Sequence, residues 1–244
     1  MMSFAIARSP SLLFSSTLGT DVTQDQLQAC ARLFSQNYGV WGPKASKVNE
    51  YLKHGARVKM TPSKLKSHWC LGVPGCTILA TCHAEEELVP HAFATTWDVG
   101  LGKIGWVTQL VVRQDYRQQG IATFLLGRLK QSQHTAFGLA SSHPAACKAL
   151  VKLAHTNIQD VDLEFIKGNA DAILQSTSID YLKTAQLRGS LFEQNPVDAT
   201  AVSSAFTEFY VDHDEPLDAL KRCKGNWPLG SLIEGHEFFL VLKL

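Results

Sequence analysis

The chain has 244 residues, of which 45% are hydrophobic and 18% charged, so it is globular rather than disordered. Twenty-three Lys and Arg against 22 Asp and Glu leave a net charge of +1, which argues against general nucleic-acid binding and against a polybasic membrane anchor. There is no run of about 18 apolar residues, so no span of a bilayer is expected.

The six cysteines, Cys30, Cys70, Cys76, Cys82, Cys147 and Cys223, are dispersed and form no Cys-x-x-Cys pair. This is the usage of a reducing compartment, and a cytoplasmic protein is expected. The first twenty residues hold Arg8, several serines and no acid, a composition also seen in mitochondrial presequences. His68, Cys70, Cys76, Cys82 and His83 lie together, but their gaps do not match zinc-knuckle spacing, and no metal is expected.

In chain order, Phe4 to Ala7 reads as a first strand. Thr23-Gln24-Asp25-Gln26 opens a helix with Leu27, Ala31 and Phe34 on one side, closed by Gly39 and Gly42-Pro43. Residues 43 to 68 are polar, with a short helix near Thr61-Pro62. Strands are predicted over Thr77 to His83, Leu88 to Trp97 and Ile104 to Val112. The charged turn Glu85-Glu86-Glu87 and the turn Asp98 to Lys103 separate them, as in an antiparallel meander. Ala122, Leu125, Leu126 and Leu129 then mark a helical face. Gly127 within it costs roughly 1 kcal/mol relative to Ala, which suggests close packing there.

Phe137 to Ser141 is a further strand, and Pro144 opens a helix faced by Ala146, Ala149, Leu150 and Leu153. Beyond it, Asn169 to Gln175 is helical and Tyr181 to Phe192 ambiguous. Ala205 to Val211 and Glu237 to Leu244 are strands, with a helix over Glu215 to Cys223 between them. The fold class is α+β, a mixed sheet covered by helices.

The stretch from Trp106 to Ala122 carries the most information. A buried strand ending at Val112 passes through Arg113-Gln-Asp-Tyr-Arg117 into Gln118-Gln119-Gly120-Ile121-Ala122. Gly120 permits a turn that a side chain would obstruct, and Ala122 leaves room for a ligand near the first helical turn. Free backbone N–H groups at such a turn suit phosphate oxygens, with Arg113 and Arg117 adding charge.

In these residues the chain resembles the GNAT superfamily of acetyl-CoA-dependent N-acetyltransferases. Arg117-x-x-Gly120-x-Ala122 resembles the family's pyrophosphate loop, Leu110-Val111-Val112 its pantetheine-binding strand, and His143-Pro144-Ala145-Ala146 the stretch after its fifth strand. The likeness is sharp over residues 104 to 155. It implies one domain over 1 to 244 with an extended connection at about 156 to 200, and a mostly antiparallel sheet splayed in the middle. It also implies acetyl-CoA as cofactor, held by Leu110, Val111, Val112, Arg117, Gln118, Gln119, Gly120, Ile121, Ala122, Thr123, Ser142, His143 and Ala146. The partner it implies is a small-molecule primary amine, attacking directly in a ternary complex; oligomeric state stays open.

Two departures from the family pattern matter. Trp106 and Thr108 stand where members often carry the base, and neither is a base at neutral pH. Leu150 stands where many carry a tyrosine acid. Thr108, which shares a strand face with Trp106 and Leu110, is the candidate holder of a relay water, with Gln109 on the other face. Tyr181, Tyr210 and His213 are candidates for proton transfer. His83 and His91 lie near the expected acceptor site, and His236 and Glu237, starting the last strand, are further candidates to reach it. Asp212-His213-Asp214-Glu215 also reads as an ordinary helix start. Trp69, Trp97, Trp106 and Trp227 suit either an apolar amine or a core. Two other readings remain: an inactive acyl-CoA-binding protein, motivated by the missing base and tyrosine, and a protein-modifying acetyltransferase.

Overall fold

The computed structural model describes residues 11–68, 75–223, 225 and 227–244. Among the described residues eight strands form a single sheet. The strands are β1 (Leu12–Leu18), β2 (Thr77–Ala84), β3 (Glu87–Val99), β4 (Gly102–Val112), β5 (His134–Ser141), β6 (Gln186–Arg188), β7 (Ser204–Phe206) and β8 (His236–Lys243). They lie in the order β1-β2-β3-β4-β5-β8-β7-β6, and β4 with β5 is the parallel pair in an otherwise antiparallel sheet. The helices are α1 (Gln24–Asn37), α2 (Pro62–His68), α3 (Ile121–Gly127), α4 (Pro144–Leu153), α5 (Leu163–Ser176), α6 (Asp180–Lys183) and α7 (Asp214–Lys221). This is the α+β class expected, with the meander over β2–β4 as predicted.

Local chemistry accounts for the element ends. Thr23 and Gln26 form a reciprocal capping box at the start of α1, whose buried face is Leu27, Cys30, Ala31 and Phe34. Pro144 opens α4, and the His143 side chain accepts from the Ala145 N–H. Gly100 and Leu101 make the two-residue turn between the paired Val99 and Gly102.

Several expectations change. Phe4 to Ala7 lies outside the described residues, as do Trp69 and Cys70. The first described strand is β1, a half-exposed edge whose serine-rich centre hides the pattern. The strand expected over Ala205 to Val211 stops at Phe206, because Glu208 takes a left-handed backbone (φ +57°) that breaks the ladder. Helix α5 begins well before Asn169, at the Asp162 cap, which accepts from Phe165 N–H. Gly127 is the last residue of α3, and an added Cβ there would meet nothing within 4 Å, so close packing is not its reason.

One irregularity shapes the middle of the sheet. Phe93 pairs with Gln109 and its neighbour Ala94 with Val107, leaving Thr108 as the extra residue of a β-bulge in β4. Bulges bend a strand and increase its twist. Pairing of β4 with β5 ends at this point, at Val107↔Leu139. Beyond it, Gln109 to Val112 stays with β3, while Ala140 and Ser141 stay with β8. The sheet therefore opens between β4 and β5, as the resemblance implied.

Below the opening the sheet is tightly filled. Trp106 is fully buried and pairs with Gly138, where an added Cβ would lie 2.5 Å from the indole ring and 3.0 Å from the Leu240 carbonyl oxygen. Gly138→Ala is expected to destabilise the protein by about 2 kcal/mol through overpacking. That is a fall of about 4–8 °C in a calorimetric melting midpoint. An unchanged midpoint would mean that the indole can move.

Candidate active site

The opening between β4 and β5 leads into a cavity of about 1000 Å³. Its walls come from three parts of the chain. The first is the divergent half of β4 and the loop beyond it; the second is the end of β5 with the start of α4. The third is a roof of loops. Residues 55–58, 39–42 and 210–212 run side by side, joined by Val58 N–H to Gly39 C=O, Trp41 N–H to Ala56 C=O, Gly42 N–H to Tyr210 C=O and Asp212 N–H to Val40 C=O. Gly42 suits the close approach there, since a Cβ would sit a tight 3.2 Å from the Tyr210 carbonyl oxygen.

Most of the expected cofactor residues border this cavity: Leu110, Val111, Val112, Arg117, Gln118, Gly120, Ile121, Ala122, Thr123, Ser142, His143 and Ala146. Gln119 does not; its exposed amide donates to the Asp115 carbonyl. The loop turns through two left-handed residues, Gln118 (φ +62°) and Gly120 (φ +76°). A Cβ on Gly120 would meet nothing within 4 Å, so the space beside it is open. The Thr123 N–H is taken by the Gly120 carbonyl, which leaves the earlier N–H groups of the turn for a ligand.

The two arginines are more committed than the sequence suggests. Arg113 pairs with Glu87 and Asp115 and stacks over Tyr116. Arg117 donates to the carbonyls of Val112 and Asn37 and pairs with Glu215 at 2.7 Å. Glu215 also lies 3.6 Å from Nε2 of His143. The His143 ring and the Arg117 guanidinium together hold the Glu215 carboxyl at about 2, so it is ionised at any working pH.

The candidates for proton transfer separate cleanly. Thr108 borders the cavity at the bulge, with its hydroxyl donating to the Phe93 carbonyl at 3.3 Å. Tyr210 does not: its ring packs against Gly235 and edge-on to Phe206, while Phe209 and Val211 on either side of it border the cavity. His213 is buried beneath the start of α7 and is not part of the cavity wall; burial pulls its pKa down. The acidic run around it is a helix start, with the Asp212 carboxylate accepting from Asp214 N–H. His91 is fully buried, bonded to Gln109 at 2.6 Å, and burial lowers it to about 4, so it is a neutral core histidine. Leu150 is likewise core.

In their place the structure gathers Glu237 and Tyr181. Strand register puts Trp106 opposite Gly138 and Gly138 opposite Val241, so Val241, Phe239 and Glu237 lie on the Trp106 side of the sheet. Trp106 Nε1 donates to the Tyr181 hydroxyl at 3.0 Å. Glu237 is 6% exposed, borders the cavity and accepts from the Thr207 hydroxyl at 3.0 Å. Burial pushes its carboxyl up to about 7 against that bond. Tyr38, Trp41 and Phe209 line the wall nearby, with ring centroids 5.8 Å (Tyr38–Phe209) and 5.4 Å (Trp41–Phe209) apart. These aromatics were not legible as a site, because they meet only through the roof. Trp97 and Trp106 are core residues and Trp227 packs on Phe238. Among the described residues no cluster of His, Cys, Asp or Glu suits a metal, and no helix is long and apolar enough to cross a membrane.

No protein-family model matches the sequence, and no curated protein does. Solved structures do match in the course of the chain. The chain is similar to GNAT acetyltransferases. One is an acetyltransferase of the GNAT family from Streptococcus pneumoniae, at 13% identity, 58% of this chain, 83% of that one and a TM-score of 0.41. Another is a possible acetyltransferase from Clostridium difficile 630, at 13% identity, 62% of this chain, 93% of that one and a TM-score of 0.39. A third is the aminoglycoside acetyltransferase HMB0005 from an uncultured soil metagenomic sample, at 14%, 59%, 90% and 0.40. With TM-scores below 0.5, what this site does rests on its own residues.

Proposed function

We propose that the chain is an acetyl-CoA-dependent N-acetyltransferase acting on a small primary amine in a ternary complex. The observation that carries this reading is the opened β4–β5 seam, which ends on the glycine turn at 117–123 and contains a buried carboxyl raised to about 7. The edge of Leu110 and Val111 that faces away from β3, which no strand pairs, suits an extended pantetheine arm added like a strand. The open turn at Gly120 suits the diphosphate.

Bound acetyl-CoA supplies the activated acyl group. Glu237 takes the proton of the incoming ammonium or of the attacking amine, a task for which a pKa near working pH is well matched. A backbone N–H near Leu110 or Val111 polarises the thioester oxygen. The amine nitrogen bonds to the carbonyl carbon, the C–S bond breaks, and the thiolate takes its proton from solvent, steadied by the Tyr181 hydroxyl, which burial keeps protonated and which stands where Leu150 offers no polar group. Thr108 orients a relay water at the bulge. Holding both substrates in one cavity supplies much of the rate.

The test is to titrate acetyl-CoA and then follow free thiol across an amine panel. Saturable binding with amine-dependent thiol release is expected. Saturable binding without release would favour an acyl-CoA-binding protein, and no binding would overturn both. Glu215 provides a second check, because its carboxylate holds Arg117 next to the proposed diphosphate position. Glu215→Gln is expected to tighten coenzyme A binding a fewfold at low salt in calorimetric titration, in keeping with a pair worth about 0.5–1 kcal/mol at a solvent-exposed position. Weaker binding would mean that Glu215 serves to orient Arg117 for the phosphates.

A further inference from the structure

The charge around the roof is divided. Residues 39–42 form the middle of the three roof segments, with 55–58 on one side and 210–212 on the other. The 55–58 side continues into Arg57, Lys59 and Lys64, all bordering the cavity. The 210–212 side carries Glu208, Asp212 and Asp214, which border it too, and Glu237 lies deeper. Neighbouring extended segments lie about 4.8 Å apart, so the two outer lines of backbone are about 10 Å apart.

Lys44, Lys103, Arg113, Arg117, Lys183, Arg188 and Lys221 each hold a carboxylate within ion-pair distance. Among the described residues, Arg57, Lys59 and Lys64 hold none; Lys148 and Lys152 on α4 and Arg222 at the end of α7 also border the cavity without one, but on the far side from the 55–58 segment. Between the two charged sides the wall is apolar: Tyr38, Trp41 and Phe209 inside, with Leu52 and the 51% exposed Val48 toward the rim. An exposed valine beside unpaired cations suits a ligand that is apolar in its middle and anionic at one end.

We propose that the acceptor is bipolar: a primary amine and an anionic group, carboxylate or phosphate, separated by an aromatic or branched apolar body. The inference rests on the acetyl-transfer reading for the identity of the reacting end. The ammonium is drawn to the acids of 208–214 and delivered to Glu237. The body lies against Tyr38, Trp41 and Phe209, and the anion is held by Arg57, Lys59 and Lys64. Polycationic amines are disfavoured, since their second charge would meet three unpaired cations.

The test compares 2-phenylethylamine, 4-(2-aminoethyl)benzoate, its phosphonate analogue and spermidine, each with acetyl-CoA. Thiol release gives turnover, and calorimetric binding in the presence of coenzyme A gives affinity without chemistry. The two anionic amines are expected to show KM values about tenfold below that of 2-phenylethylamine, with spermidine weakest. In the double variant Lys59→Glu/Lys64→Glu, whose changes are both at exposed positions, that ratio should collapse toward one. The carboxylate and phosphonate arms tell which anion is preferred. Turnover that favours spermidine or the uncharged-body amine, or a ratio that survives charge reversal, would overturn the proposal while leaving the transfer reading standing. Charge-dependent binding of the anionic amines without thiol release would support the ligand class and defeat the transfer reading.

Discussion

Glu237→Gln is expected to lower kcat/KM by at least about 100-fold, the usual worth of a general base, and at the same time to make the protein more stable at neutral pH. Both effects have one cause. The carboxyl is buried with the Thr207 hydroxyl as a bonding partner, and burial raises it from 4.5 to about 7. A raised folded-state value means that the folded chain keeps a proton which the unfolded chain has lost. Stability is therefore fully present below about pH 4.5 and declines as pH rises to about 7. The difference corresponds to about 3 kcal/mol above neutrality. Glutamine carries no such penalty, so the two melting midpoints should coincide near pH 4 and diverge by pH 8, with the variant higher. In the wild type, kcat/KM should climb with pH through about 7, and this limb should be missing in the variant. Full activity in Glu237→Gln, or midpoints that stay together at pH 8, would remove Glu237 from the reaction.

The second large effect is at the glycine turn. Gly120→Glu is expected to weaken coenzyme A binding by more than about 100-fold, since a carboxylate would be placed against the diphosphate at short range. The fold should survive. No atom lies within 4 Å of the added Cβ, and the cost is the left-handed backbone at φ +76°, about 1–2 kcal/mol for a residue other than glycine. Gly120→Ala separates the two contributions: it carries the backbone cost without the charge, so most of its affinity should remain. Calorimetric titration beside a thermal melt reads both quantities. Unaltered affinity in Gly120→Glu would place the diphosphate elsewhere.

What could be read from residue order was whatever a short window encodes. The β2–β4 meander follows from alternation and turn residues, and α1 from its capping box. The turn at Gly120 was legible because glycine adopts that left-handed backbone without the Cβ penalty. The bulge at Thr108 was not, because it exists only as a mismatch with Phe93 and Ala94 on another strand. It also interrupts the face that Trp106, Thr108 and Leu110 were expected to share. Arg117 illustrates the same limit. Its position in the loop was plain, but its ties to Asn37 and Glu215 come from residues 80 behind and 98 ahead. Tyr210 and His213 had suitable chemistry on a segment whose orientation only packing decides. Tyr181 and Glu237 were visible as residue types, while what recommends them, a bond to Trp106 and burial beside Thr207, is tertiary.

The roof over the cavity has a kinetic corollary. Its middle segment at 39–42 follows α1 near the start of the chain, yet its backbone partners at 210–212 are made some 170 residues later. During synthesis the first four strands and the glycine turn emerge well before Phe209 arrives to cover Tyr38 and Trp41. Until then the site is an uncovered trough with exposed rings. Closure of the roof is a long-range contact, slow to form and early to open, and hydrogen exchange at the amides of Gly42 and Asp212 should report it before the sheet itself loosens.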